Sequence, residues 1–115
     1  MSITRNWIAI CATGLLFATG SAYARGDFEA GKAKVTAVCA ACHGLDGNGK
    51  TDTDARLAGQ YADYIVKALE DYANGGRNNP IMMGIASTLT PADRANVAAY
   101  FAAMEGGVET VQSYK

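Results

Sequence analysis

The sequence predicts an all-α domain of three main helices joined by long loops. Apolar residues recur three and four apart in three separate segments, and cap residues stand at the segment ends. No run alternates apolar and polar residues with a period of two, so no sheet is expected. The 115 residues contain no internal repeat and no low-complexity tract.

The chain opens with "MSITRNWIAICATGLLFATGSAYARG". Arg5, the apolar run from Trp7 to Phe17 and the Ala22-Tyr23-Ala24 triplet form the pattern of a secretory signal peptide, cut after Ala24. The run is shorter than the ~20 residues of a membrane-spanning helix. The expected organisation is therefore a cleaved leader, residues 1–24, and one small domain, residues 25–115, with no membrane span after cleavage. Cys11 leaves with the leader. Nine basic and eleven acidic residues remain, a net charge of −2. A nucleic-acid partner would need a basic patch, and none is present.

The first helix is expected from Phe28 to Cys42, with Asp27 as its N-cap and Phe28, Val35, Val38 and Cys42 near helical spacing. The segment "GLDGNGKTDTDARLAG" follows, rich in glycine and poor in apolar residues, and reads as a long loop. The second helix lies in "QYADYIVKALEDYANGG", with Tyr61, Ile65, Leu69 and Tyr72 on one stripe, Tyr64 widening it and Gly75 or Gly76 as the stop. "RNNPIMMGIAS" reads as a loop with one turn of helix at most. The third helix has Thr90 as N-cap, Pro91 at N1 and Asp93 at N3, an apolar stripe of Val97, Tyr100, Phe101 and Met104, and Gly106 as its stop.

The chemistry resides in "VCAACHG". Residues three apart on a helix face the same way, with Cβ atoms about 5–6 Å apart. Cys39 and Cys42 thus present two thiols to one partner, and His43 stands about 100° further round the axis. A porphyrin suits that arrangement: two thiols add across two vinyl groups, and the imidazole reaches the iron from one face. C-x-x-C-H is the sequence sign of c-type haem attachment. One covalent haem c is expected, with Cys39 and Cys42 as thioether positions and His43 as an axial iron ligand.

Other readings of the segment fail. Zinc wants four ligands, usually two separated pairs, and residues 25–115 hold no other cysteine or histidine. A thioredoxin-like motif belongs with a βαβ pattern. A histidine-based hydrolase needs a nucleophile and an orienting partner. A disulfide closing so tight a loop would add little.

With His43 the only histidine, the other face of the iron needs a different ligand. Methionine is a common partner of histidine in such sites, and Met82, Met83 and Met104 remain after cleavage. Met104 lies on the stripe of the last helix and reads as core filler. Met82 and Met83 stand in the irregular stretch after Pro80, and the residue pattern leaves both open, beside an open sixth position or a Lys or Tyr ligand.

Three stretches, "EAGKAKVTAVCAACHGLDGNGK", "LAGQYADYIVKALEDY" and "GGRNNPIMMGIASTLTPADRANVAAYFAAM", resemble the small monohaem class I cytochromes c, and in particular one domain of the bacterial dihaem cytochromes c. The resemblance implies a class I cytochrome c fold, long loops wrapped around one covalently bound haem. The family's iron-binding methionine stands seven residues before the leucine that opens the last helix; counted back from Leu89, that is Met82, with Met83 as the alternative. It also implies a close crossing of the first and last helices, with Gly31 permitting the approach and Tyr100 packing beside it. Relatives usually carry a proline two residues before "LAGQ", whose carbonyl accepts the other N–H of the ligand histidine. Ala55 stands there in this chain and keeps a carbonyl, while the firmness of the imidazole's orientation depends on it.

Arg77 precedes the methionine segment and suits a haem propionate through a charge-assisted pair, or is a plain surface arginine. Gln60 and Asn79 are weaker candidates for hydrogen bonds near the cofactor. "DGNGKTDTD" fails as a calcium loop because Thr51 occupies the position that requires glycine, so Asp46, Asp52 and Asp54 read as solvated loop carboxylates.

The resulting expectation is a periplasmic electron carrier, not an enzyme, that meets redox partner proteins through a small, transient interface. Without a lysine cluster, its rates should depend only mildly on ionic strength. Two rival readings are a haem subunit of a larger periplasmic oxidoreductase and a gas-binding or peroxidatic protein with an open iron site.

Overall fold

Asp27 starts the first helix by accepting the Ala30 N–H on its carboxylate at 2.7 Å, the bond expected of an acidic N-cap. A computed structural model describes residues 25–106, so the expected leader, residues 1–24, lies outside the described residues. Helix α1 (Phe28–Lys34) continues into a π-helical turn, Val35–Cys39, and then into α2 (Ala40–His43). The long helix expected from Phe28 to Cys42 is present, with one wide turn inside it. There the Ala40 N–H bonds to the Val35 carbonyl, five residues back rather than four. Thr36 stands at the entry, its hydroxyl donating to Lys32 O at 2.8 Å, the backbone competition by which threonine bends helices. Gly44, at φ 76°, ends α2.

The glycine-rich segment is a loop, as expected, and it is well bonded. The Gly49 N–H donates to His43 O at 2.9 Å and the Lys50 N–H to Cys42 O at 3.0 Å. Gly47 O accepts from Leu57 and Ala58 at 2.7 and 3.0 Å. The Tyr100 hydroxyl reaches across from the last helix to Leu45 O at 2.7 Å.

Helix α3 (Ala62–Asn74) stops at Gly75, left-handed at φ 84°, as the glycine pattern predicts. Ile65 and Leu69 are buried, but Tyr61 and Tyr64 are 41% and 48% exposed, so the apolar stripe is narrower than expected. Tyr61 precedes the helix with extended backbone and does not follow its phase.

Helix α4 (Pro80–Ser87) occupies the stretch expected to be a loop with one turn at most. The Asn79 side chain accepts the Ile81 and Met82 N–H groups at 3.1 Å each, and Pro80 sits where a missing N–H does no harm. Helix α5 (Pro91–Ala102) carries the expected capping box: Thr90 Oγ1 accepts from Asp93 N at 3.1 Å and the Asp93 carboxylate from Thr90 N at 3.0 Å. It ends before Gly106, and Met104 packs, partly buried, against the core.

Helices α1 and α5 cross at Gly31, where an added Cβ would lie 2.1 Å from the Asn96 carbonyl oxygen and 3.1 Å from Tyr100 Cβ. Glycine is required by that contact. The Asp27 N–H donates to Asn96 Oδ1 at 2.7 Å, and Lys34 pairs with Asp93 at 3.3 Å, so three links join the same two helices. Helices α3 and α4 pack on each other, and α3 also packs on α5. The shared core contains Val35, Ile65, Leu69, Leu89, Val97 and Phe101. Among the described residues there is no strand, and no helix is long and apolar enough to cross a membrane.

Candidate functional site

The Cys39-Ala40-Ala41-Cys42-His43 segment closes the helix that docks on α5, and it opens onto a cleft walled by α3, α4 and α5. The cleft consists of two adjoining cavities of about 220 and 340 Å³ that share Cys39, His43, Ala55, Tyr72, Met82 and Ile85. Small-molecule sites typically span roughly 300–1,000 Å³. Ile65, Leu69, Leu89, Val97 and Phe101 supply an apolar inner wall.

The two thiols differ. Cys39 is half-buried and borders both cavities, and burial pushes its thiol up to about 11, against a weak opposing pull from Lys34. Cys42 is exposed and borders one cavity. They form no disulfide. Cys42 was expected on the buried stripe with Val35; the intervening π turn swings it away from that face.

The His43 ring is held at Nδ1, which donates to the Ala55 carbonyl at 2.8 Å. Ala55 therefore provides the acceptor that the missing proline would have provided. With the proton on Nδ1, the Nε2 lone pair is the one free to coordinate a metal. Phe101, fully buried, meets the imidazole edge-on, with ring centroids 6.5 Å apart.

Met82 borders both cavities together with His43, while Met83 borders neither. The reason lies in α4: Met82 shares a face with Ile85, three residues on, which also borders both cavities, and Met83 is turned about 100° away from Met82. The methionines were expected in irregular chain, and the Asn79 cap explains the helix instead.

Arg77 borders the cleft and is well fixed. Its guanidinium lies 5.4 and 5.7 Å from the ring centres of Tyr64 and Tyr72, donates to the Tyr64 hydroxyl at 3.1 Å and stands 3.9 Å from the Asp71 carboxylate. The Tyr64 hydrogen bond, then that to Tyr72, raises its pKa, so it stays cationic. Sequence reasoning placed Tyr64 and Tyr72 on an apolar stripe and missed this cradle; their spacing of eight residues on one helix face, with an arginine just past the stop, was the available signal. Gln60 also borders the cleft but spends its carbonyl on the Tyr61 N–H, and Asn79 caps α4 at the cleft's edge. Among the described residues no group of three or more His, Cys, Asp or Glu side chains is arranged to hold a metal ion.

A helical domain in which a C-x-x-C-H segment and a methionine border the same apolar cleft belongs to the class of covalent haem proteins. The chain is a member of the cytochrome c family, whose family model matches residues 28–105. It is 44% identical over 90 residues to cytochrome c4 of Pseudomonas aeruginosa, a match that takes in 78% of this chain and 44% of that protein. To cytochrome c-554(548) of Halomonas halodenitrificans it is 37% identical over 83 residues, 70% of this chain and 99% of that protein. Among solved structures, reduced recombinant cytochrome c4 from Pseudomonas stutzeri superposes with a TM-score of 0.66 at 39% identity, over 72% of this chain and 48% of that one. The chain thus spans about half the length of the cytochromes c4 it matches, and the fold is the class I cytochrome c fold.

The cofactor of the family is covalent haem c, and the residues present fit it. The cleft is apolar inside, with thiols at its rim, a pre-oriented imidazole and a thioether on shared walls, and a fixed cation at its edge.

Proposed function

We propose that the chain is a periplasmic one-electron carrier. In this reading residues 1–24 direct export and are removed, and residues 25–115 form the working domain. Cys39 and Cys42 hold the haem as thioethers, His43 and Met82 are its axial iron ligands, and Arg77 contacts a propionate. Haem c, when bound, supplies an iron centre that exchanges single electrons between its ferrous and ferric states.

The carrying observation is the shared cleft: His43, with Nδ1 already engaged by Ala55, and Met82 border both of its cavities. The chain's own residues then set the properties of the site. The Ala55 carbonyl fixes the imidazole and raises its basicity. The Met82 thioether favours ferrous iron and raises the potential. Ile65, Leu69, Leu89, Val97 and Phe101 exclude water, which disfavours the more highly charged ferric form. The fixed Arg77 cation acts in the same direction. With the His43 nitrogen and the Met82 sulfur both available to hold the iron, no outside ligand would be needed at the metal, and partner proteins would meet the domain briefly at the cleft mouth.

The test is a spectroelectrochemical titration of the exported, haem-loaded protein, followed by exposure of the reduced form to carbon monoxide. A reversible one-electron wave and an unchanged reduced spectrum under carbon monoxide are expected. Ready carbon monoxide binding would instead favour a gas-binding or peroxidatic site.

A further inference from the structure

One turn among the described helices departs from α-helical geometry, and it stands between the segment that docks on α5 and the segment that carries the thiols. Gly31 and Val35 lie on the docking face: Gly31 against the Asn96 carbonyl, Val35 fully buried in the core. An unbroken α-helix advances about 100° per residue, so Cys42, seven residues after Val35 and eleven after Gly31, would point within about 20° of both. It would face α5. The Cys42 thiol is instead exposed and borders the cleft.

The wide turn accounts for the difference. One extra residue in a turn sets back everything after it by about 100° relative to a continuous α-helix. The local sequence favours such a turn. The Val35 N–H is shared between the Gly31 and Lys32 carbonyls, and the Thr36 hydroxyl also claims Lys32 O. Two donors thus converge on Lys32 O where the regular ladder gives way, and the Ala40 N–H reaches back to Val35 O.

We infer that the Val35–Cys39 π turn is a register device. It separates the face that α1 presents to α5 from the face on which the thiols are presented. The domain thereby keeps its tightest helix crossing and still aims both Cys39 and Cys42 at one porphyrin. The inference rests on the reading of those cysteines as thioether positions.

The experiment deletes Ala37, an exposed residue inside the turn, from the full chain matured in a haem-attaching host, with Ala37→Ser as the control. Thiol alkylation and intact mass count the thioethers. The parent and Ala37→Ser should consume both thiols, and the deletion variant should keep one reactive thiol in most haem-bearing molecules, with the absorption shift of a porphyrin that retains one vinyl group. A deletion variant with both thioethers and unchanged thermal stability would overturn the inference. Should the deletion variant fail to accumulate, NMR couplings across hydrogen bonds in the parent holoprotein decide: Ala40 N–H paired with the Val35 carbonyl supports the device, and pairing with the Thr36 carbonyl refutes it. Free thiols in the parent itself would show that the reading of the cysteines, not the register, is at fault.

Discussion

His43 Nδ1 donates to the Ala55 carbonyl at 2.8 Å, across twelve residues of glycine-rich loop. That bond makes the loop part of the metal site. Its acceptor is positioned by Asp54, whose carboxylate takes the Thr51 N–H at 2.9 Å and the Thr51 hydroxyl at 2.8 Å. Those bonds hold the Asp54 carboxyl below its ordinary value.

Asp54→Ala should therefore raise the reduction potential. The loosened turn weakens the grip on Nδ1 and makes the imidazole less basic, and an anion near His43 is lost. Both changes disfavour ferric iron. An effect of less than tenfold on the redox equilibrium corresponds to a rise below about 59 mV, which protein-film voltammetry resolves.

Gly31→Ala tests the helix crossing. The added Cβ would meet the Asn96 carbonyl, which is backbone and cannot swing aside. A loss of about 1–3 kcal/mol is expected from such overpacking, measured by denaturant unfolding of the holoprotein. An unchanged midpoint would mean that α1 and α5 do not cross there.

The cap of α5 should show a defined pH dependence. The Thr90 N–H, then the Thr90 side chain, holds the Asp93 carboxyl below its ordinary value, with a smaller contribution from Lys34. A depressed folded value means that the carboxylate's stabilisation is complete above the ordinary value and is lost as pH falls through the folded one. Thermal midpoints of the parent and Asp93→Asn should therefore differ at pH 7 and converge in acid. Thr90→Ala, which removes the other half of the box, should cost about 1 kcal/mol.

Arg77→Gln should lower the potential, since a cation at the cleft edge favours the less positive iron. Its side chain is partly open to solvent, so screening keeps the shift modest, again below about 59 mV. Voltammetry at low and high salt should show the difference shrinking as salt rises.

The legible parts of this fold were those whose cause is local. Cys39, Cys42 and His43 announce their chemistry through spacing alone. Thr90, Pro91 and Asp93 spell out a helix start, and Gly75 a helix stop. Helix α4 was not legible, because "IMMGIAS" is apolar on every side and has no helical period; its only signal was Asn79 ahead of Pro80, and that asparagine was read toward the cofactor instead. The π turn was hidden for a different reason. It settles a conflict between two ends of one helix, and the partners at those ends, α5 and the cleft, are assembled only in three dimensions. The Arg77 cradle likewise joins residues on α3 to one beyond its stop.

The central claim is an iron centre closed by His43 and Met82, and absorption spectra of the ferric Met82→Ala and Met83→Ala holoproteins test it most directly. The account predicts that Met82→Ala loses the weak red band of methionine-ligated ferric haem and falls in potential, while Met83→Ala keeps both. Loss of the band in Met83→Ala alone, or its survival in both variants, would contradict it.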